Sequence, residues 1–257
     1  MPKYLLKFIK KSYLKSFLFY GLYMNAAGYF SAMGYENNGG NMGDKYECLS
    51  NFPYIELPQK EKTQAERYAE AKTEFDRMCA AAPVIGYNVY SGRNRPIWCC
   101  SIVNDSDIEN GSFKFDKRIV KDFFPESTQD AYAVLIDYDR FIKHIHNNPD
   151  KYTIRYAEVC YHNIFNEFGS KGNNSIFYKN VDLNYQREFR IVISRRCRMY
   201  ERSIIKNGIK THILSPKTPY KAYFYKLPNI NSMVVRKYTI DSLKQDDNYI
   251  YFSLTED

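Results

Sequence analysis

A chain of 257 residues, 44% apolar and 26% charged, is long enough to bury a core without disulfide or metal staples. Lys and Arg exceed Asp and Glu by 37 − 29 = 8, an excess that favours anionic partners without deciding a fold. The cysteines (Cys48, Cys79, Cys99, Cys100, Cys160 and Cys197) include no CxxC pair, which argues against a zinc site or a disulfide framework and for reduced thiols in a cytosol.

Along the chain, Tyr4–Lys15 reads as a short helix with Leu5, Phe8 and Ile9 on one side, and Phe17–Tyr23 as a buried strand. Lysines interrupt every apolar run before residue 16, and no stretch reaches the roughly 20 apolar residues of a membrane span, so a folded N-terminus in a cytoplasmic protein is expected. Gly34–Gly43 is dense in Gly and Asn and reads as a loop. Lys60–Ala82 has no Gly or Pro and reads as a solvated helix. Strands are expected at Val84–Tyr90, Ile97–Val103, Tyr132–Ile136, Thr153–His162, Glu188–Ser194, Ala222–Leu227 and Tyr249–Leu254. Helices are expected at Lys117–Phe124 and Arg140–Asn147, the second capped by Asp137 or Asp139. With 25 Tyr and 17 Phe the composition also leans toward sheet. The expected fold is a single α+β domain over residues 1–257 with a largely antiparallel sheet.

Common nucleotide motifs are missing. No GxGxxG follows a strand, and Gly34–Gly39 is followed by Gly40 and Asn41 where a Walker site needs Lys and Ser or Thr. No HExxH, GxSxG or kinase set occurs, and His144 and His146, two apart on a helix, face different directions.

The informative segment is Ile176–Ser194, IFYKNVDLNYQREFRIVIS. Strand alternation puts Phe189, Ile191 and Ile193 toward the core and Gln186, Glu188 and Arg190 on the other face. That second face allows two readings: an exposed Glu–Arg pair on a solvated sheet, or a carboxylate held at the mouth of a cleft beside an amide and a guanidinium. Glu47 is a second carboxylate to watch, either sharing acid–base roles with Glu188 or bridging to a lysine.

Gln186-Arg187-Glu188, preceded by a loop with Phe177, Tyr178 and Tyr185, resembles the Q-x-E form of the ADP-ribosyltransferase catalytic motif. The resemblance implies an ADP-ribosyltransferase-like fold, NAD as substrate without a metal, Glu188 stabilising the cationic ribose, and Gln186 positioning the acceptor. FYGLYMNAAGYFS followed by GDKYECLS resembles the N-terminal part of bacterial defence-associated proteins, which implies a toxin of phage-defence or toxin–antitoxin systems with a neutralising antitoxin protein. That half of the family's domain builds the NAD cleft, usually with an early Arg or His. This chain has none before Arg67, leaving Asn25, Tyr29, Ser31 and Asp44 as the residues placed to substitute. The basic stretches, including Arg195, Arg196 and Arg198, point to a nucleic-acid acceptor, RNA ahead of DNA. Two alternatives stand beside this one: a small ribonuclease using Glu188, Arg190 and a Lys or His, and a module that only holds single-stranded nucleic acid.

Overall fold

A computed structural model describes residues 2–27, 29–30, 95–162, 176–195 and 222–255, together with strand backbones at 49–51, 55–56, 84–85, 88–90, 201–206 and 209–214. The expected helix Lys60–Ala82 and loop Gly34–Gly43 lie outside these residues. The architecture is mixed α+β with mostly antiparallel pairing. Among the described residues, no helix is long and apolar enough to cross a membrane.

The N-terminus corrects the sequence expectation. Pro2–Lys10 is a strand (β1), Lys11–Phe19 a helix (α1), and Gly21–Ala26 a strand (β2). The reason is that β1 is a central strand. Leu6 and Phe8 enter one apolar cluster and Leu5 and Ile9 the other, so apolar residues on both faces imitate a helical stripe. Gly21 makes the turn into β2 with φ of +138°, and a Cβ there would lie 2.1 Å from the Tyr225 carbonyl oxygen.

Further elements follow the expected order: β3 (Pro96–Asn104), β4 (Ser112–Asp116), α2 (Arg118–Phe123), β5 (Ala131–Asp137), α3 (Tyr138–Asn147), β6 (Ile154–Glu158), β7 (Cys160–His162), β8 (Tyr178–Asn180), β9 (Glu188–Ile193), β10 (Tyr223–Lys226), β11 (Val234–Thr239) and β12 (Tyr249–Ser253). Asp137 caps α3, its carboxylate accepting from the Arg140 amide at 2.8 Å. β4, β8, β11 and the hairpin 201–206/209–214 were not expected from the sequence, which read the β8 segment as a loop, and the one strand expected at Thr153–His162 is split into β6 and β7.

The main sheet has eight strands, ordered β6-β9-β3-β1-β5-β11, with β2 pairing both β3 and β10. One face packs on α1 and α3 through Phe17, Leu18, Phe141 and Ile145. The other packs on α2 and the β4–β12 ladder through Ile119, Val120, Phe113 and Phe252.

Strand β3 carries the functional geometry. On one edge it pairs with β9, setting Glu188 opposite Ser101, Arg190 opposite Cys99 and Val192 opposite Ile97. On the other edge β1 covers Ser101–Asn104 and β2 covers Pro96 and Ile97, which leaves Trp98–Cys100 between them. Lys7 fills that interruption: its Nζ donates to the Cys99 carbonyl at 2.6 Å and sits 5.1 Å from the Trp98 ring centroid.

Candidate functional site

Phe189, Ile191 and Ile193 lie in the main core, as their alternation requires, and the opposite side of β9 is where the structure departs from a solvated sheet. Glu188 is 6% exposed and Arg190 1%, so the pair is buried. A buried carboxylate is tolerable only when paired and hydrogen-bonded. Arg190 supplies the pairing, with Nε 2.6 Å from Glu188 Oε1 and Nη2 3.3 Å from Oε2. Its Nη1 donates to the Ile176 carbonyl. Lys179 on β8 completes the set, its Nζ 2.7 Å from Glu188 Oε2.

Gln186 reaches the same place by a different route from the one expected. It is the last residue of a 3-10 turn, Val181–Gln186, and the strand starts only at Glu188. Between them Arg187 adopts the left-handed conformation at φ 46°. This bend sends the Arg187 side chain to Asp107 and the Phe115 ring. The Gln186 side chain accepts from Lys179 Nζ at 2.9 Å and donates to Asp122 Oδ2 at 2.8 Å. Its carbonyl accepts from the Ser101 hydroxyl at 2.8 Å. Lys179 therefore clamps both motif residues at once.

These groups line one cavity of about 50 Å³, together with Cys99, Phe30 and Phe123. At about 10–15 Å³ per water centre, that volume takes a few waters or the reacting atoms of a substrate, not a whole dinucleotide. Burial by itself would raise the Glu188 pKa, but the charges of Arg190 and Lys179, with hydrogen bonds from Arg190 and Cys99, hold it well below the usual carboxylate range. Burial, and then the Glu188 charge, push the Cys99 thiol well up, so it stays protonated. Burial also raises the carboxyl of Asp122, against the hydrogen bonds from Tyr185 and Gln186. The Tyr161 hydroxyl, which accepts from the Glu188 amide at 2.8 Å, is raised to about 12 by burial and then by the Glu188 charge.

The depressed Glu188 pKa carries a stability consequence of definite sign. A carboxyl with its folded pKa below its unfolded value stabilises the fold above the ordinary carboxylate range and loses that contribution as pH falls toward the folded pKa. Between about pH 5 and pH 2 the melting temperature of the wild type is expected to fall more steeply than that of Glu188→Gln. Thermal melts of both proteins across that range check it; parallel curves would contradict it.

The other expected site residues are distributed less favourably. Asn25 sits half-buried on β2 opposite Ile97, a cavity-lining residue, and Tyr29 packs edge-on against Phe30 at 5.6 Å, so each stands one neighbour back from the cavity. Ser31, Asp44, Glu47, Arg196 and Arg198 lie outside the described residues. Arg195 lies beyond the far end of β9 from Glu188, a separation of roughly 17 Å or more at about 3.4 Å per residue. Its guanidinium stacks on Tyr223 at 4.7 Å and on Tyr152 at 5.9 Å, at the opposite end of the strand from the cavity. Lys179 and Asp122 are the cavity residues that sequence reasoning missed. Nothing distinguishes Lys179 from the other basic residues until β8 is folded against β9.

No protein-family model, curated protein or solved structure matches this chain.

Proposed function

We propose that this chain is an ADP-ribosyltransferase of the Q-x-E kind, moving ADP-ribose from NAD to a nucleic acid, RNA ahead of DNA. The observation that carries the reading is that Glu188 and Gln186 line one cavity, with Glu188 fixed as an anion. NAD supplies an ADP-ribosyl group whose bond to nicotinamide breaks with the electron pair leaving on the ring nitrogen. Glu188 holds a preoriented negative charge against the positive charge that develops on the ribose carbon, the electrostatic role that needs no proton transfer. Gln186, its amide oriented by Lys179 and Asp122, holds the acceptor nucleophile as it forms the new bond at that carbon. The nucleophile's proton passes to solvent. The resemblance to defence-associated proteins extends the proposal to a cytoplasmic toxin restrained by an antitoxin protein.

A ribonuclease reading draws on one observation, that Lys179 joins Glu188 and Arg190. It asks Glu188 to act as a general base, for which a pKa near the working pH is best. The surroundings of Glu188 push the other way, and this counts against the general-base role.

Gln186 tests the division of labour. Gln186→Ala is expected to cut transfer to the acceptor by about tenfold or more while sparing much of the slow hydrolysis of NAD by water, because orientation and not charge is removed. Nicotinamide release with and without nucleic acid, for wild type and variant, reads both activities. Equal loss of both would place Gln186 in the NAD site and overturn its acceptor role.

A further inference from the structure

The charged cavity is not the only unusual surface. Tyr13 is 65% exposed, Tyr23 63%, Tyr20 57% and Phe19 47%, and Phe224 is exposed beside them. Scattered exposed apolar residues need no explanation, but these are contiguous. Tyr23 and Phe224 are direct cross-strand partners on the outer face of β2 and β10, where Leu22, Met24 and Tyr225 point inward. Phe19 and Tyr20, at the end of α1, meet Phe224, Lys226 and Pro228 around a groove of about 530 Å³, within the size range of about 300–1,000 Å³ typical of ligand sites.

The segments that build this face carry charge of one sign. Residues 10–27 and 222–240 contain no Asp or Glu, while Lys10, Lys11, Lys15 and Lys226 are exposed. Two carboxylates from other segments come near: Asp130 pairs with Lys11, and Asp150 accepts from the Tyr223 hydroxyl. The aromatic line also leads somewhere. Tyr23, its hydroxyl pKa raised first by burial and then by its neighbours Tyr29 and Tyr13, connects through Tyr29 to Phe30, and Phe30 lines the Glu188 cavity.

We propose that the α1–β2–β10 face, with Tyr23 and Phe224 as stacking platforms and Lys15 and Lys226 as phosphate contacts, binds single-stranded nucleic acid and leads it toward the Glu188 cavity. The inference rests on the transferase reading for what happens at the end of that path, and on this surface alone for binding. Flat aromatic faces beside solvated cations are the chemistry that holds an unpaired strand without reading its sequence. A duplex hides its base faces, and an anionic membrane has no use for an aromatic line running into a cavity.

The test is fluorescence anisotropy with a labelled oligouridylate and no NAD, so that binding and catalysis fail separately. The wild type is expected to bind, and Tyr23→Ala with Phe224→Ala to weaken binding by at least about tenfold. Tyr23→Phe with Phe224→Tyr keeps the ring faces and should keep the affinity. Lys15→Gln with Lys226→Gln should lower the slope of log affinity against log salt by about 0.7 for each phosphate left without its lysine. Unchanged affinity in the alanine pair, with circular dichroism matching the wild type, overturns the assignment. So does stronger binding to phosphatidylglycerol-containing vesicles or to duplex DNA than to the single strand. Nicotinamide release by a protein that binds no oligouridylate would leave the transferase reading standing and this surface refuted.

Discussion

Glu188→Gln is expected to lower nicotinamide release by about 100- to 1,000-fold, the effect of removing one preorganised electrostatic group from a reacting centre. The substitution does more than neutralise a catalytic charge, because Lys179 and Arg190 both bond the Glu188 carboxylate and all three are buried. Removing one partner from such a cluster costs about 3–5 kcal/mol, as the remaining charges lose their compensation. The variant is therefore expected to be less stable as well as inactive, and inactivity alone does not identify a catalytic role. Glu188→Gln combined with Lys179→Met removes one orphaned cation and should recover part of the stability but none of the activity. Melting temperature and nicotinamide release, measured on the same preparations, separate the two effects. Activity that returned in step with stability would make Glu188 a structural residue.

The second large effect is expected at Arg190. This guanidinium is fully buried, donates to both Glu188 oxygens and satisfies the Ile176 carbonyl. Arg190→Met fills similar volume but leaves a carboxylate with one cation and a carbonyl without that donor. The cost is about 3–5 kcal/mol. At roughly 2–4 °C per kcal/mol for a chain of this size, the melting temperature should fall by on the order of 10 °C. Arg190→Lys should not restore it, since an ammonium cannot reproduce the planar fork that holds both carboxylate oxygens. A melting temperature within about 2 °C of wild type would show that the cluster is not holding β9 in place.

Several features were legible in the sequence because they depend on neighbours along the chain. Alternation gave the core side of β9 at Phe189, Ile191 and Ile193. The cap of α3 was narrowed to Asp137 or Asp139 because capping is a three-residue affair, and the structure selects Asp137. β1 misled because a strand apolar on both faces loses the alternation that marks a strand. The edge strand β11 alternates in its burial but not in its residue types, with Val235 exposed and Arg236 half-buried, which leaves little pattern to detect in the sequence. The burial of Glu188 was illegible for a different reason. Lys179 arrives from β8 and Asp122 from α2, so what covers that side of β9 is decided by contacts distant in sequence. The same holds for Arg187, whose left-handed backbone takes Gln186 off the strand while leaving it at the cavity.

Whether the buried, ionised Glu188 serves chemistry on NAD is decided by incubating the folded protein with NAD labelled in its adenylate half and total bacterial nucleic acid. The expected outcome is label covalently attached to nucleic acid, released nicotinamide in at least equal amount, and neither product from Glu188→Gln. Strand cleavage without NAD consumption, or nucleic acid retained unmodified with NAD intact, would show that Glu188 does not act on NAD.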